Sequence, residues 1–481
     1  MIQIQNYIGG QLQAPLSGRY LDNLDPATGL VYAQIPDSEN EDVEMAVKAT
    51  REAFSGWSNT PAETRCQLML RIADAIDARL DILSEMESVD NGKPKKLASV
   101  VDIPRAASNF RFFATAALQF ASESHAMENS AINYTLRQPV GVVGCISPWN
   151  LPLYLFTWKI APALAAGNCV IAKPSEVTPM TAYALSQLCI DCGLPPGVLN
   201  IVHGTGPHCG AAIVKHPEIK AISFTGSTRA GKEIAAVAAP MFKKISLELG
   251  GKNANIIFAD CDFDKMLKTT LNSSFSNQGE ICLCGSRILV ERPLYERFKQ
   301  AFIAETKKLK VGDPLQSDTR IGAIVSKQHY DKILYHIQLA KEEGGTILLG
   351  GNPVNPGGRC AKGWFIEPTI IEGLQQHCRT NQEEIFGPVV TIEPFDTEEE
   401  AVRMANSNSY GLSLSVWTSN LNRAHQVSAQ VNSGIIWVNC WLLRDLRTPF
   451  GGMKTSGVGR EGGNEAMRFF TEAKNVCINL K

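Results

Sequence analysis

Hydrophobic positions change their spacing along the chain, from helical near the start to strand-like further on. Apolar residues recur every three or four positions in residues 41–57 and again in residues 72–83, which predicts amphipathic helices. After Pro139, short β-rich runs alternate with helical stretches; the runs are residues 141–146, 169–172, 198–202 and 221–225. Such alternation is typical of parallel βαβ units and predicts an α/β domain.

A second series of strand-like runs follows Glu248. Its members are residues 255–258, 287–290, 389–392, 412–417 and 434–438, with helical stretches between them. This pattern predicts a second α/β domain. Residues 475–480 form a further strand-like run, which needs the edge of a sheet on its own or another chain.

Length and composition favour a soluble globular protein of two or more domains. The 481 residues exceed the roughly 250–300 at which a single core usually stops growing. The net charge of -2 and the 20% of charged residues give no reason to expect nucleic acid or a membrane surface as partner. The apolar stretch at residues 151–172 is interrupted by proline, lysine and glycine, which favours a buried segment over a membrane span. We expect a cytoplasmic protein, because neither end carries a targeting or lipidation signal.

Cysteine usage indicates reduced thiols. The 13 cysteines are odd in number and scattered, which gives no disulfide framework. Cys189 and Cys192 form a lone Cys-x-x-Cys pair, and without a second pair or nearby histidines we expect no metal site.

One cysteine stands in a context that suits a nucleophile. Cys282 lies between a helical stretch and a strand-like run, three residues after Gly279, which allows the tight turn that presents following side chains. Taken alone, a cysteine is more often a small buried hydrophobe.

Two other segments supply partners for such a thiol. Glu248 lies between two leucines and before a Gly-Gly pair; burial there raises a carboxyl pKa and suits it to accept a proton near neutral pH. A lone glutamate is, however, more often exposed or ion-paired. Asn150 lies in a loop stiffened by Pro148 and Pro152, where its amide can donate hydrogen bonds to an oxyanion.

Strand-to-helix turns supply a candidate cofactor site. Gly226 and Ser227 lie where a strand-like run passes into a helix, a position at which free amides can hold a pyrophosphate. Lys173 and Glu176 end another run. A carboxylate there can accept both ribose hydroxyls and repels a 2′-phosphate, which favours NAD over NADP. A generic turn explains either motif alone equally well.

Together, and in this order, these segments resemble the aldehyde dehydrogenase superfamily along essentially the whole chain. Two further segments carry the resemblance: residues 383–388, Glu-Glu-Ile-Phe-Gly-Pro, and residues 449–457, Pro-Phe-Gly-Gly-Met-Lys-Thr-Ser-Gly. The family keeps a spacing between base and nucleophile similar to that between Glu248 and Cys282. Glu280 and Ile281 depart from the Gln and Cys that many relatives carry before the nucleophile, and we expect them to tune the site.

The resemblance implies an α/β fold with a Rossmann-type NAD-binding domain, an α/β catalytic domain and a small β oligomerisation element. The implied bounds are 1–125 and 140–249 for the first, 250–447 for the second, and 126–139 and 468–481 for the third. It also implies a homodimer or homotetramer. The implied cofactor-binding residues are Trp149, Lys173, Glu176, Gly226, Ser227, Leu249, Glu384 and Phe386.

The implied mechanism is oxidation of an aldehyde through a thioester. The Cys282 thiolate attacks the carbonyl, Asn150 and the Cys282 amide bind the oxyanion, and hydride passes to NAD. Glu248 then activates the water that hydrolyses the thioester.

Arginines point to a substrate with a carboxylate. Arg444 and Phe450 lie in the segment that shapes the tunnel mouth in the family, and Arg105 lies on a helix whose counterpart lines the tunnel. A guanidinium there would bind a carboxylate. This arrangement of arginines resembles the muconic semialdehyde branch of the family, whose substrates are 2-aminomuconate or 2-hydroxymuconate 6-semialdehyde. Arg447 is a third candidate, and each arginine could instead pair with an acid such as Asp445 or Asp102.

Two alternatives remain open. The same apparatus could oxidise neutral aliphatic, aromatic or retinoid aldehydes. A protein on the same fold could also be a non-catalytic binding or structural protein, because fold alone does not establish function.

Overall fold

The computed structural model describes residues 1–481. The helices are α1 (Asn40–Ser58), α2 (Ala62–Asp77), α3 (Leu80–Asn91), α4 (Lys95–Leu97), α5 (Ile103–Leu118), α6 (Pro152–Ala165), α7 (Met180–Asp191), α8 (Ala211–Lys215), α9 (Thr228–Ala238), α10 (Phe263–Phe275), α11 (Arg292–Thr306), α12 (Lys327–Glu342), α13 (Arg379–Gln382), α14 (Glu398–Ala405), α15 (Leu421–Gln430) and α16 (Gly463–Phe469).

The strands are β1 (Ile2–Gln3), β2 (Asn6–Ile8), β3 (Gln11–Gln13), β4 (Tyr20–Asp25), β5 (Leu30–Pro36), β6 (Ser124–Met127), β7 (Ala131–Pro139), β8 (Val142–Ile146), β9 (Cys169–Lys173), β10 (Leu199–Ile201), β11 (Ile219–Thr225), β12 (Lys244–Glu248), β13 (Ala254–Ile257), β14 (Arg287–Glu291), β15 (Thr346–Leu349), β16 (Pro353–Val354), β17 (Phe365–Ile366), β18 (Thr369–Glu372), β19 (Val389–Phe395), β20 (Tyr410–Gly411), β21 (Ser413–Trp417), β22 (Ile435–Val438), β23 (Met453–Lys454), β24 (Gly457–Val458) and β25 (Thr471–Asn479).

The four strand-like runs predicted after Pro139 form β8, β9, β10 and β11, the centre of the first large sheet. Its eight strands have the order β24-β12-β11-β8-β9-β10-β2-β3, and β12 to β10 are mutually parallel. From β8 the chain adds β9 and β10 on one side, and then returns to add β11 and β12 on the other. The strand order therefore reverses between β8 and β11, and ligands of open α/β sheets bind at the carboxyl ends of the strands beside such a point.

The second large sheet confirms the second α/β pattern. Its seven strands have the order β15-β18-β19-β14-β13-β21-β22, with parallel pairing from β18 to β22. The five predicted strand-like runs correspond to β13, β14, β19, β21 and β22. Nearly every residue of these strands is buried apart from those of the edge strand β22, as expected when helices cover both faces.

The terminal strand pairs with its own chain. β25 lies antiparallel to β7 over nine residue pairs, and β6 completes a three-stranded sheet. This sheet leaves apolar side chains exposed, among them Ile132, Tyr134, Leu136 and Ile478.

One helix prediction differs from the structure. The apolar positions of residues 72–83 suggest a continuous helix, whereas α2 ends at Asp77 and α3 begins at Leu80. Arg79 leaves the helical region with φ -113° and ψ 23°, so that α2 packs on α5 while α3 packs on α7. No helix is long and apolar enough to cross a membrane.

Candidate active site

A cavity of about 240 Å³ lies at the carboxyl ends of the strands, beside the point where the strand order reverses. It gathers side chains from segments far apart in the sequence. Its lining includes Trp149, Asn150, Gly226, Ser227, Leu249, Cys282, Glu384 and Phe386. Two of the three predicted catalytic residues and six of the eight predicted cofactor residues therefore share one cavity.

The turn before Cys282 has an unusual backbone. Asn277 and Gln278 both have positive φ, at 53° and 56°, a backbone conformation that residues other than glycine rarely adopt. Gly279 follows with φ 74°, and a β carbon there would overlap the Gly387 carbonyl. Only glycine fits this position, as the sequence pattern indicates. Such local strain is typical of functional sites.

Hydrogen bonds from Asn253 hold the loop that carries Cys282. Asn253 Nδ2 donates to the Cys282 carbonyl at 2.7 Å and to the Cys284 carbonyl at 2.9 Å. Trp441 adds a bond from Nε1 to the Leu283 carbonyl at 2.9 Å. The Cys282 amide has no acceptor in the protein. It is therefore free to donate to an oxyanion formed on the thiol's substrate.

Asn150 is fixed by a buried network. Its Nδ2 donates to the Glu280 carbonyl at 3.0 Å, which leaves the second N–H of the amide available. Its own carbonyl accepts from Lys93 Nζ and Asn277 Nδ2, each at 3.0 Å. Lys93 also bonds Asp102 Oδ2 at 2.9 Å, and both side chains are fully buried. The main chain of Asn150 therefore has a charged, buried anchor.

Burial raises the pKa of the Cys282 thiol far above its usual range. The negative charges of Glu384 and Glu248 raise it further, and Arg444 acts in the opposite direction. The resting thiol is therefore protonated, and formation of the thiolate needs a base or a change in the charges around it.

Burial likewise raises the pKa of Glu248 well above its ordinary value, in the direction that its leucine neighbours indicate. Glu461 raises it further, whereas Lys159 and the arginines 460 and 444 lower it. Both carboxyl oxygens of Glu248 are buried and have no hydrogen-bond partner. Close by, Lys159 Nζ bonds Glu461 Oε1 at 2.8 Å. The carboxylate form is therefore free to accept a hydrogen bond from a water or another donor.

The predicted nicotinamide segment forms one wall of the cavity. Glu384 Oε1 accepts from the Gly251 amide at 2.8 Å, and burial raises the pKa of its carboxyl. Phe386 has a positive φ of 63° and stacks edge-on against Trp149, with ring centroids 5.2 Å apart. His329 fixes Phe386 through a 2.6 Å contact between its Nε2 and the Phe386 carbonyl.

Another part of the cavity lining, at Thr225 and Ser227, suits a pyrophosphate. Ser227 caps α9, and the Ser227 amide has no acceptor in the protein. The buried Thr225 hydroxyl beside it also lacks a partner. A helix start with free donors fits an anionic group, so these residues are compatible with a dinucleotide.

Lys173 and Glu176 do not line the cavity but lie at the end of the adjacent strand β9. They pair with each other at 2.9 Å, and Glu176 also accepts from the Gly206 amide. Burial opposes ionisation of Glu176, but Lys173 and these hydrogen bonds outweigh it and lower the carboxyl pKa. Glu176 thus presents a carboxylate where sequence reasoning places the ribose.

The three candidate arginines differ in their partners. Arg447 is exposed and paired with Asp445 at 2.6 Å, as one alternative anticipates. Asp102 pairs with Lys93 instead of Arg105. Arg105 and Arg444 are half-buried and form no ion pair with any acid. Arg444 lies 4.0 Å over the Phe450 ring, beside a second cavity of about 900 Å³ that both residues line.

Comparison with known proteins identifies this arrangement. The sequence profile described as "Aldehyde dehydrogenase family" matches residues 14–476. The chain belongs to the aldehyde dehydrogenase family. Its fold is the aldehyde dehydrogenase fold, because it matches the NAD+ complex of an aldehyde dehydrogenase from Bacillus cereus with a TM-score of 0.97. That match has 38% identity and covers 100% of this chain and 97% of the other.

Several curated relatives of this chain are named as muconic semialdehyde dehydrogenases. The 2-aminomuconic semialdehyde dehydrogenase of Bos taurus is 48% identical over 99% of this chain and 98% of its own length. The 2-hydroxymuconic semialdehyde dehydrogenase of Pseudomonas sp. (strain CF600) is 46% identical over 100% of both.

Sequence reasoning missed several residues of this aldehyde dehydrogenase site. Lys159 and Glu461 meet only in the folded chain, although a lysine within the apolar α6 is a signal that could have been used. Lys93, Asn253 and His329 support Asn150, Cys282 and Phe386. No local motif distinguishes them.

Proposed function

We propose that this protein oxidises a carboxylate-bearing semialdehyde, 2-aminomuconate or 2-hydroxymuconate 6-semialdehyde, to the dicarboxylic acid, with NAD as electron acceptor. The observation that carries the proposal is the pair of half-buried arginines, Arg105 and Arg444, that have no acid partner. An unpaired guanidinium in a partly buried position strongly favours a carboxylate ligand. The names of the relatives support the same substrate class.

The chemistry assigned to the chain begins at Cys282. Its sulfur, after losing a proton, adds to the aldehyde carbon, and the former carbonyl oxygen becomes an oxyanion. The free N–H of Asn150 and the unpaired Cys282 amide donate to that oxygen. Trp149, Glu384 and Phe386 would hold the nicotinamide end of NAD, which would supply the acceptor for the hydride from the same carbon.

Glu248 serves the second half of the reaction. Its unpartnered carboxylate removes a proton from water, whose oxygen adds to the thioester carbon. The carbon–sulfur bond then breaks, and the acid leaves with the water oxygen. Because burial and Glu461 raise the pKa of Glu248, its carboxylate is a stronger base than that of an ordinary glutamate, which suits this role.

The proposal extends to the organisation of the chain. It keeps the bounds 1–125 and 140–249 for an NAD-binding domain, 250–447 for a catalytic domain, and 126–139 with 468–481 for an oligomerisation element. Homodimers or homotetramers are expected, since the sheet of β6, β7 and β25 leaves an apolar face exposed.

The substrate proposal is tested by Arg444→Ala. The KM for 2-hydroxymuconate 6-semialdehyde should rise about 10- to 100-fold, because hydrogen bonds to a charged group are lost. The KM for 2,4-hexadienal, a neutral aldehyde of equal chain length, should change little. Arg447→Ala is the matched control, because that exposed arginine already pairs with Asp445.

Equal increases in KM for both aldehydes would contradict the anchor role of Arg444. A wild-type enzyme that prefers the neutral dienal would instead support the alternative of a general aldehyde dehydrogenase.

A further inference from the structure

Tyr154 lies between the two arginines. Its hydroxyl oxygen accepts a hydrogen bond from Arg444 Nη1 at 2.6 Å. The guanidinium carbon of Arg105 lies 5.7 Å from the centre of the Tyr154 ring. No other residue contacts both guanidinium groups in this way. A single phenol thus joins two positive charges that approach from different segments.

The surrounding elements fix the position of Tyr154. It lies in the first turn of α6, four residues after Asn150, and its side chain is only 6% exposed. Asn109, one turn after Arg105 on α5, donates from Nδ2 to the Tyr154 carbonyl at 3.0 Å. One short segment therefore carries both the oxyanion donor and the phenol, and a bond to α5 sets its distance from Arg105.

Arg444 is clamped on the other side by aromatic rings. Its guanidinium carbon lies 4.0 Å from the Phe450 ring and 5.3 Å from the Trp158 ring. Trp158 is one helical turn after Tyr154. The Tyr154 hydroxyl supplies the only side-chain hydrogen bond that Arg444 makes, so it determines which way the guanidinium donors point.

The hydroxyl hydrogen of Tyr154 is free to form a hydrogen bond. A phenol carries one O–H and can accept at the same oxygen. Because the Tyr154 oxygen accepts from Arg444, and makes no bond as a donor, its hydrogen is available. A carboxylate beside it can then receive the phenol O–H together with N–H donors of the two arginines.

We propose that Tyr154 is a specificity-determining residue, which orients Arg444 and donates its own O–H to the carboxylate at the far end of the semialdehyde. This inference rests on the proposed function and deepens it. It assigns the selectivity for a charged over a neutral aldehyde to three groups, of which the phenol is the uncharged member.

Tyr154→Phe tests the inference, since it keeps the ring beneath Arg105 and removes only the hydroxyl. The KM for 2-hydroxymuconate 6-semialdehyde should rise about tenfold with kcat nearly unchanged, whereas both constants for 2,4-hexadienal should stay as in the wild type. The affinity of the variant for sorbate, an unreactive six-carbon dienoate that serves as a competitive inhibitor, should likewise fall about tenfold.

The matched control is Tyr335→Phe. Tyr335 also accepts a hydrogen bond from an arginine, Arg379, at 3.1 Å, but it is exposed on α12. This variant should leave every constant unchanged. A further check combines Tyr154→Phe with Arg444→Ala. The double variant should lose less sorbate binding free energy than the sum of the two single losses, because the two groups act on one carboxylate.

The outcomes separate this inference from the function on which it rests. A wild-type enzyme without preference for the carboxylated substrate would contradict the proposed function. A wild-type preference that Tyr154→Phe leaves intact would overturn only the role of Tyr154. An equal rise of KM for both aldehydes in Tyr154→Phe would also overturn that role, because it would indicate a structural effect on α6.

Discussion

Cys282 and Glu248 are the residues whose chemistry depends most on burial. Burial raises the pKa of both, and each carboxylate near the thiol raises the thiol's pKa further. A raised pKa favours the neutral form of each group. In the proposed mechanism each of them ionises in turn, first the thiol and then the acid. The positive charge of Arg444, which lowers both pKa values, assists both steps.

Replacement of Glu248 should separate the two halves of the reaction. Glu248→Gln keeps the shape of the side chain but cannot accept a proton, so a thioester should accumulate on Cys282 while kcat falls about 10²- to 10⁴-fold. Mass spectrometry of the acid-quenched enzyme would detect the adduct. Cys282→Ser is the control, because it should give neither adduct nor turnover.

The pH dependence follows from the same residue. A base whose pKa is raised loses its proton only at a higher pH than an ordinary glutamate, so the rate of wild-type thioester hydrolysis should still rise with pH above the range in which an ordinary glutamate titrates. Glu248→Gln should remove this rise. A flat wild-type profile, or a rise that persists in the variant, would refute the assignment of the base.

Three backbone segments fix the site at the level of elements: the end of α3, the loop between β8 and α6, and the turn after α10. Asn91 donates to the Trp149 carbonyl at 3.0 Å, and Lys93 donates to Asn150 at the same distance. The charge of Lys93 is balanced by Asp102, which lies in a π-helical turn before α5. Such turns are frequent at functional sites. A buried ion pair thus supports the loop that carries Asn150, the proposed oxyanion donor.

Lys93→Met should destabilise the fold. It leaves Asp102 buried without its cation, which typically costs about 3–5 kcal/mol of unfolding free energy. Chemical unfolding of the variant would measure the loss. Lys95→Met is the control: Lys95 pairs with exposed Asp81 and Glu85, and such surface pairs are worth about 0–1 kcal/mol. Similar losses in the two variants would show that Lys93 has no special role.

At the scale of the whole molecule, the small sheet of β6, β7 and β25 leaves a row of apolar side chains exposed. Ile132 and Ile478 are direct partners across β7 and β25, and are 39% and 49% exposed. Tyr134 and Leu136 extend the same apolar surface along β7. Exposed apolar surface of this kind is consistent with the proposed interface between chains.

The double variant Ile132→Asp with Ile478→Asp should therefore form smaller assemblies than the wild type. Two carboxylates on paired positions repel and resist burial. Light scattering coupled to size exclusion gives the mass of each species, and circular dichroism checks that the fold is retained. The oligomerisation proposal fails if the wild type is already monomeric or if the folded variant keeps its mass.

The extent to which sequence predicts this molecule depends on how local each signal is. The nine predicted strands of the two large sheets, four in the first and five in the second, and the Gly279 turn are encoded within a few residues, and the structure confirms them. Lys159 and Glu461 are 302 positions apart, and no spacing rule brings them together. Tyr154 likewise looks like one more aromatic of a buried helix until Arg444, 290 positions away, is seen to bond it.

The most direct test of the central claim is the rate of NADH formation by the purified wild-type enzyme. Initial rates would be compared between 2-hydroxymuconate 6-semialdehyde and 2,4-hexadienal over a range of concentrations, with NAD in excess. Unpaired Arg105 and Arg444 predict a kcat/KM at least about tenfold higher for the carboxylated aldehyde. Equal values, or a preference for the neutral dienal, would contradict the assignment of a carboxylate-bearing substrate.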